Sequence, residues 1–283
     1  MSPVVLGLVL TAAVAHATWN LLAKGAEGGA AFVWLCSVAG SVIYLPVLAV
    51  SLVLAPRGGD VGWLALGLMA GSGALHAAYF VLLQRGYAGG DLSLVYPLGR
   101  GTGVLLSTTV AIAALGERPS GLAVAGAAII IAAVFSLAAG RTGAARHADR
   151  RGKVFALLTG VAIASYTLWD KHAVGPDGLA PITYYWGTNL ANGLLMTPWI
   201  ARHPDRLRRA WATSRRHAAG VGLLSPLAYV LVLYALAHAP VSYVAPARET
   251  SILFGTILGA TVLGEGDRRR RLIAGAATVV GVA

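Results

Sequence analysis

Three ionisable side chains stand inside apolar segments that would not ordinarily hold them: Arg100, Arg248 and Glu249. Each arginine lies about seven residues into its hydrophobic stretch, roughly 10 Å along a helix axis at ~1.5 Å per residue. On insertion scales an arginine near the centre of a membrane span costs about 2.5–3.5 kcal/mol. What such a residue can do in return is bind an anion, because its planar fork meets a carboxylate or phosphonate through two parallel hydrogen bonds. The carboxyl group of Glu249 could meet an ammonium group or carry a proton. Arg248 and Glu249 are consecutive, so they leave a helix on different faces and are not each other's natural partners. One arrangement pairs Glu249 with Arg100 and leaves Arg248 for substrate. Full mutual neutralisation is a second, and snorkelling of each arginine to the interface a third.

Other polar groups gather at helical spacing around these three. His16 and Asn20, Tyr96 and Arg100, and Tyr166 and Asp170 stand four residues apart, and His76 and Tyr79 three apart. Each pair therefore shares a helix face, and a polar face in a bilayer turns toward a shared interior or a wet cavity. Asp170 sits nearer an interface than Glu249. Tyr184, Tyr185, Asn189 and Asn192 are more ambiguous, since the two tyrosines admit an interfacial aromatic belt. Pro97 and Pro246 precede the two arginines by three and two residues. Prolines there remove an intrahelical hydrogen bond and disturb the preceding turn, so both are candidate hinges. Broken helices at corresponding places are a pointer to a transport site.

Several other chemistries find no support. Gly99, Gly101 and Gly103 mimic a dinucleotide loop but follow no strand. Gly99 and Gly103 read as a small-residue helix-packing pair, as do Gly67 with Gly71 and Gly255 with Gly259. Gly152 and Lys153 are followed by Val154, so no phosphate loop is present. No His-Glu-x-x-His or aspartate-rich pair offers metal ligands at workable spacing. No cofactor and no metal are expected.

The elements that must position these residues follow from composition. Of 283 residues, 57% are hydrophobic and 12% charged, against about 25% charged in an average soluble domain. Mean hydropathy is +0.71. A water-soluble globule could not cover itself with so few charges, and a disulfide scaffold is excluded because Cys36 is the single cysteine. The net charge of +11 comes from short basic runs between apolar segments, so membrane orientation accounts for it and nucleic-acid binding is not expected. Apolar stretches fall at about 3–23, 31–54, 61–84, 93–115, 120–139, 154–173, 181–201, 220–239 and 241–263. All nine can cross ~30 Å of hydrocarbon. A tenth, about 272–283, is either a re-entrant stub or a helix cut short, and its composition, close to that of the fifth, favours the second. Ala15, His16 and Ala17 resemble a signal-peptide cleavage site. No basic residue precedes the run, however, and cleavage is not expected.

Of the 22 Lys and Arg, 17 fall in loops on one side and Arg57, Arg118 and Lys171 on the other. The positive-inside rule places the 17 in the cytoplasm. At an offset of 148 the stretch VYPLGRGTGVLLSTTVAIAALGERPSGLAVAGAA is answered by YVAPARETSILFGTILGATVLGEGDRRRRLIAGAA. Each has a proline, an arginine, an apolar run, and Gly-Glu beginning sixteen residues after the arginine. Trp19 and Asn20 correspond similarly to Trp169 and Asp170. Residues 1–140 and 154–283 thus read as two five-helix repeats joined by a basic loop at 141–153. An odd number of spans per repeat inverts the second relative to the first.

This layout resembles the drug/metabolite transporter superfamily, and more narrowly its EamA-type bacterial members. The resemblance rests on the Gly-Glu-Arg turn after the fourth span and on HATWNLLAKG, GDLSLVYPLGRG and ARETSILF. Gly266 stands where the first repeat has Arg118, a departure from the pattern. The resemblance implies movement of small metabolites such as amino acids without ATP. The expectation is therefore an all-α integral membrane protein of ten transmembrane helices in two inverted repeats, in the bacterial cytoplasmic membrane, as a monomer or homodimer. It would transport a zwitterionic or anionic metabolite by alternating access, with proton antiport through Glu249 as one route to export. The rivals are a membrane enzyme acting on lipid or prenyl compounds and a scaffold that transports nothing.

Overall fold

The structure, a computed structural model, describes residues 1–24, 26–54, 62–88, 92–139, 150–175, 178–252, 254, 273, 275–277 and 280–281. Regular structure among them is helical: α1 (Pro3–Lys24), α2 (Ala30–Leu54), α3 (Trp63–Ala88), α4 (Leu92–Ala113), α5 (Gly121–Ala139), α6 (Arg150–Ala173), α7 (Pro181–Ala201), α8 (Pro204–His238) and α9 (Val241–Ala247), with a 3-10 turn over Arg248–Thr250. The first seven coincide with expected spans to within a few residues. Pro3, Pro181 and Pro204 open their helices, where a missing N–H is harmless. The tenth span, Gly264 and Glu265, the basic run 268–271, Gly255, Gly259 and most of the 141–153 loop lie outside the described residues.

Five helices among the described residues are long and apolar enough to cross a membrane. Shorter apolar stretches, Leu98–Ala113 and Gly121–Ser136, lie within α4 and α5, and α7 is diluted by Tyr184, Tyr185, Asn189 and Asn192. The difference from the expected spans is α8. In place of the expected basic loop at 202–216, one helix of 35 residues runs from Pro204 to His238. Leu207, Ala210, Ser214, Ala218 and Val221 recur at helical spacing. Ala210, Ala218 and Val221 join a core with Ala31, Phe32 and Leu35 of α2 and Ile200 of α7. The arginines occupy the other side, so the segment is an amphipathic helix rather than a loop.

The chain divides into two compact units, each drawn from both sequence halves. The first comprises Met1–Pro3, Ala78–Trp169 and Ala239–Ala283, and in it α4, α5 and α9 pack together. The second comprises Val4–Ala77 and Asp170–His238, and in it α2, α7 and α8 pack together. Small residues set both packings. In the first unit, a Cβ on Gly99 would come within 3.2 Å of the Ala156 carbonyl oxygen, and one on Gly103 within 2.6 Å of the Ile163 side chain. In the second, a Cβ on Gly222 would meet Ala39 at 2.7 Å. Gly67, expected to pack similarly, faces open space.

The Gly-Glu turn has a visible purpose. Gly116 adopts φ +69°, a left-handed conformation that glycine enters without strain, and the chain reverses there after α4. Glu117 then receives hydrogen bonds from the first two N–H groups of α9, Val241 N to Oε1 at 2.7 Å and Ser242 N to Oε2 at 2.8 Å. A carboxylate is well placed at a helix N-terminus, where unpaired N–H groups and the helix dipole both favour it. Tyr243 accepts a hydrogen bond from Ser120 N at 3.1 Å through its hydroxyl oxygen, which secures the same turn.

Candidate functional site

In the first unit Arg100 and Glu249 form a closed fork. Arg100 Nε donates to Glu249 Oε2 at 2.9 Å and Nη2 donates to Oε1 at 2.5 Å, with both residues buried. Glu249 belongs to the 3-10 turn that follows Pro246 inside α9. The tighter winding of a 3-10 turn, about 3.0 residues per turn, separates consecutive side chains by more than an α-helix does. Arg248 consequently departs from its neighbour. It too is buried, 7% exposed, and its Nε has no hydrogen-bond partner. One guanidinium is thus neutralised, and the other presents a desolvated donor. Helix α4 runs on through Pro97 without interruption, so the winding changes at the second proline's segment alone. The side chains of Tyr96 and Pro97 lie outside the described residues. In the same unit the rings of Tyr79 and Tyr166 meet edge to face at 5.9 Å.

The second unit holds a different polar centre. Asp170, expected nearer an interface, is 1% exposed because three helices close over it. Ser72 Oγ of α3 and the Tyr184 hydroxyl of α7 each donate to Oδ1 at 2.6 Å, and the Tyr229 hydroxyl of α8 donates to Oδ2. His76 stands one turn beyond Ser72, its Nδ1 2.9 Å from the Ser72 carbonyl oxygen and 3.4 Å from Oγ. Its ring meets that of Tyr229 edge to face at 5.3 Å. Tyr184 and Tyr185 are therefore interior residues and not a headgroup belt: Tyr184 holds the carboxylate, and Tyr185 packs against Tyr44 and Tyr229. Asn189 ties α7 to α2 through Ser37 O and Ser41 Oγ. On α1 the Asn20 amide turns back to the His16 carbonyl oxygen at 2.7 Å, and the His16 ring meets Trp19.

Of the ten polar residues, Arg100, Arg248, Glu249, Tyr79, Tyr96 and Tyr166 belong to the first unit, and His16, Asn20, His76 and Asp170 to the second. The helix faces that paired His76 with Tyr79 and Tyr166 with Asp170 each divide between them. Sequence reasoning misses Ser72 and Tyr229. Ser72 shares a face with His76 at four-residue spacing, which is a usable signal, whereas Tyr229 offers none. Among the described residues no group of three or more His, Cys, Asp or Glu side chains could hold a metal ion.

Apolar membrane-length helices that enclose a buried ion pair and a buried carboxylate define a multi-pass integral membrane protein. The model of the EamA-like transporter family matches residues 150–283. Over that segment the chain is consistent with an EamA-type transporter of the drug/metabolite transporter superfamily, the resemblance that the residue patterns carry. A small-molecule substrate and a lipid surround follow from that family. A solved crystal structure of a protein matches over 99% of this chain and 95% of its own, with a TM-score of 0.74 and 17% identity, which establishes a shared fold. No curated protein matches the chain.

Proposed function

We propose that the protein is a secondary-active carrier of a small zwitterionic or anionic metabolite, amino-acid-like or phosphonate-like, working by alternating access in the bacterial cytoplasmic membrane. The observation that carries this reading is the buried Arg248 with its unpartnered Nε. With Arg100 and Glu249 satisfying each other, Arg248 is a buried positive charge with no counter-charge among the described residues. Such a charge is costly until an anion meets it, and a carboxylate or phosphonate supplies two acceptors in the geometry the fork requires. The helix breaks from α to 3-10 at that residue, a local irregularity of the kind that lines carrier sites.

The test is flux into proteoliposomes containing the purified protein, using labelled glutamate, alanine and aminoethylphosphonate as probes. Native protein moves at least one of them, and Arg248→Ala abolishes its movement. Arg248→Lys retains a fraction, because an ammonium supplies the charge without the fork. Equal flux by native protein and well-folded Arg248→Ala would remove the reading. A probe that binds also raises thermal stability, by about 2.7 kcal/mol at a hundred times its Kd, and Arg248→Ala loses that increment.

A further inference from the structure

We infer that Asp170 is the proton-binding site of the carrier, its proton held among the hydroxyls of Ser72, Tyr184 and Tyr229. This rests on the carrier reading and assigns that carrier its coupling ion. Glu249 is poorly suited to carrying a proton. Both of its oxygens are taken by one guanidinium, and protonating it would strip the buried Arg100 of its carboxylate counter-charge. Asp170 is buried as deeply, yet all three of its hydrogen-bond donors are neutral, and among the described residues no cation lies at ion-pair distance. The titratable groups around it are His76 on α3, Tyr184 and Tyr185 on α7, Tyr229 on α8 and Lys171 on its own helix. The Lys171 ammonium is directed to the Leu236 carbonyl oxygen at 2.5 Å.

The kind of donor is what decides. An arginine or a backbone N–H can only donate, so a carboxylate held by either loses its partners on protonation. A hydroxyl both donates and accepts. When Asp170 takes a proton, Tyr229 or Ser72 can turn to accept it, and every polar atom in the group stays satisfied. The network therefore tolerates both charge states. The proton adds to one carboxylate oxygen and leaves by the same bond, and no other bond is made or broken. What changes is strength: hydrogen bonds to an ionised acceptor are roughly twice as strong as neutral ones. Those bonds tie the last turn of α6 to α3, α7 and α8, so protonation loosens four helices at one point.

Infrared difference spectra of the purified full chain during acidification test this without any transported probe. Native protein gains the carbonyl stretch of a protonated carboxyl group. Asp170→Asn loses that band, His76→Gln keeps it, and Asp170→Glu restores it at a shifted position. Tyr229→Phe retains the carboxyl and removes one hydrogen-bond partner of its protonated form, so the band persists at a shifted position; this variant keeps the test decisive where Asp170→Asn fails to fold. A band unchanged in Asp170→Asn, or a band position unmoved in Tyr229→Phe, overturns the assignment. Flux separates the two readings. If a pH gradient still drives labelled glutamate, alanine or aminoethylphosphonate through Asp170→Asn vesicles, the proton site is wrong and the carrier stands. If native protein moves none of them while the band titrates with Asp170, the proton site stands and the carrier reading fails.

Discussion

Arg100 and Arg248 share a residue type and a place in their segments, yet among the described residues only Arg100 is met by a carboxylate, and substitution should treat the two differently. Arg100→Ala leaves Glu249 buried without a counter-charge and should cost about 3–5 kcal/mol of stability, read as a lower Tm in detergent. Replacing both members, Arg100→Met with Glu249→Leu, should recover most of that loss, because removing a buried pair together is often neutral. Arg248→Ala should not destabilise, since it deletes a buried charge that pairs with no carboxylate among the described residues. The divergence of Arg248 from Glu249 was legible in sequence because neighbours on a helix cannot share a face. The setting of Asp170 was not. Its partners stand 98, 59 and 14 residues away and carry no charge, so neither spacing nor electrostatics marks them among the chain's other tyrosines and serines.

At the scale of elements, apolar runs located seven helices well, because length and hydrophobicity alone decide what can cross a bilayer. Hydropathy misjudged the start of α8 for a physical reason: arginine is unwelcome in lipid but is a good helix former. The same residues that end a span can prolong a helix. The Gly-Glu turn was recognisable as a repeated motif, but its use as a cap on α9 depends on a contact 124 residues away. Glu117→Ala should cost about 1–2 kcal/mol, in the range of lost N-caps and helix-dipole partners, and Glu117→Gln less, because the amide keeps one acceptor. Glycine substitutions should divide by location. Gly103→Ala drives a methyl into the branched Ile163 side chain and should cost about 1–3 kcal/mol. Gly67→Ala enters open space and should be neutral or stabilising by about 0.5–1 kcal/mol through helix propensity. Thermal unfolding of both variants under one condition checks the contrast.

For the whole molecule the charge count makes a statement that chemical labelling can read. With the 17 loop cations of one side in the cytoplasm, a cysteine at Thr213 should react with a membrane-impermeant maleimide only in inside-out vesicles. One at Ser120 should react only in right-side-out vesicles. Cys36→Ser supplies the background for both, and the opposite pattern reverses the orientation. Helix α8 adds a mechanical constraint. Its 35 residues extend about 52 Å at ~1.5 Å each, some 20 Å more than the hydrocarbon is thick. The overhanging end carries Arg206, Arg208, Arg209, Arg215 and Arg216, each of which would cost kilocalories to draw into oil. Such a rod cannot slide along its own axis like a piston. In the proposed carrier cycle α8 can take part only by tilting or turning about a fixed depth.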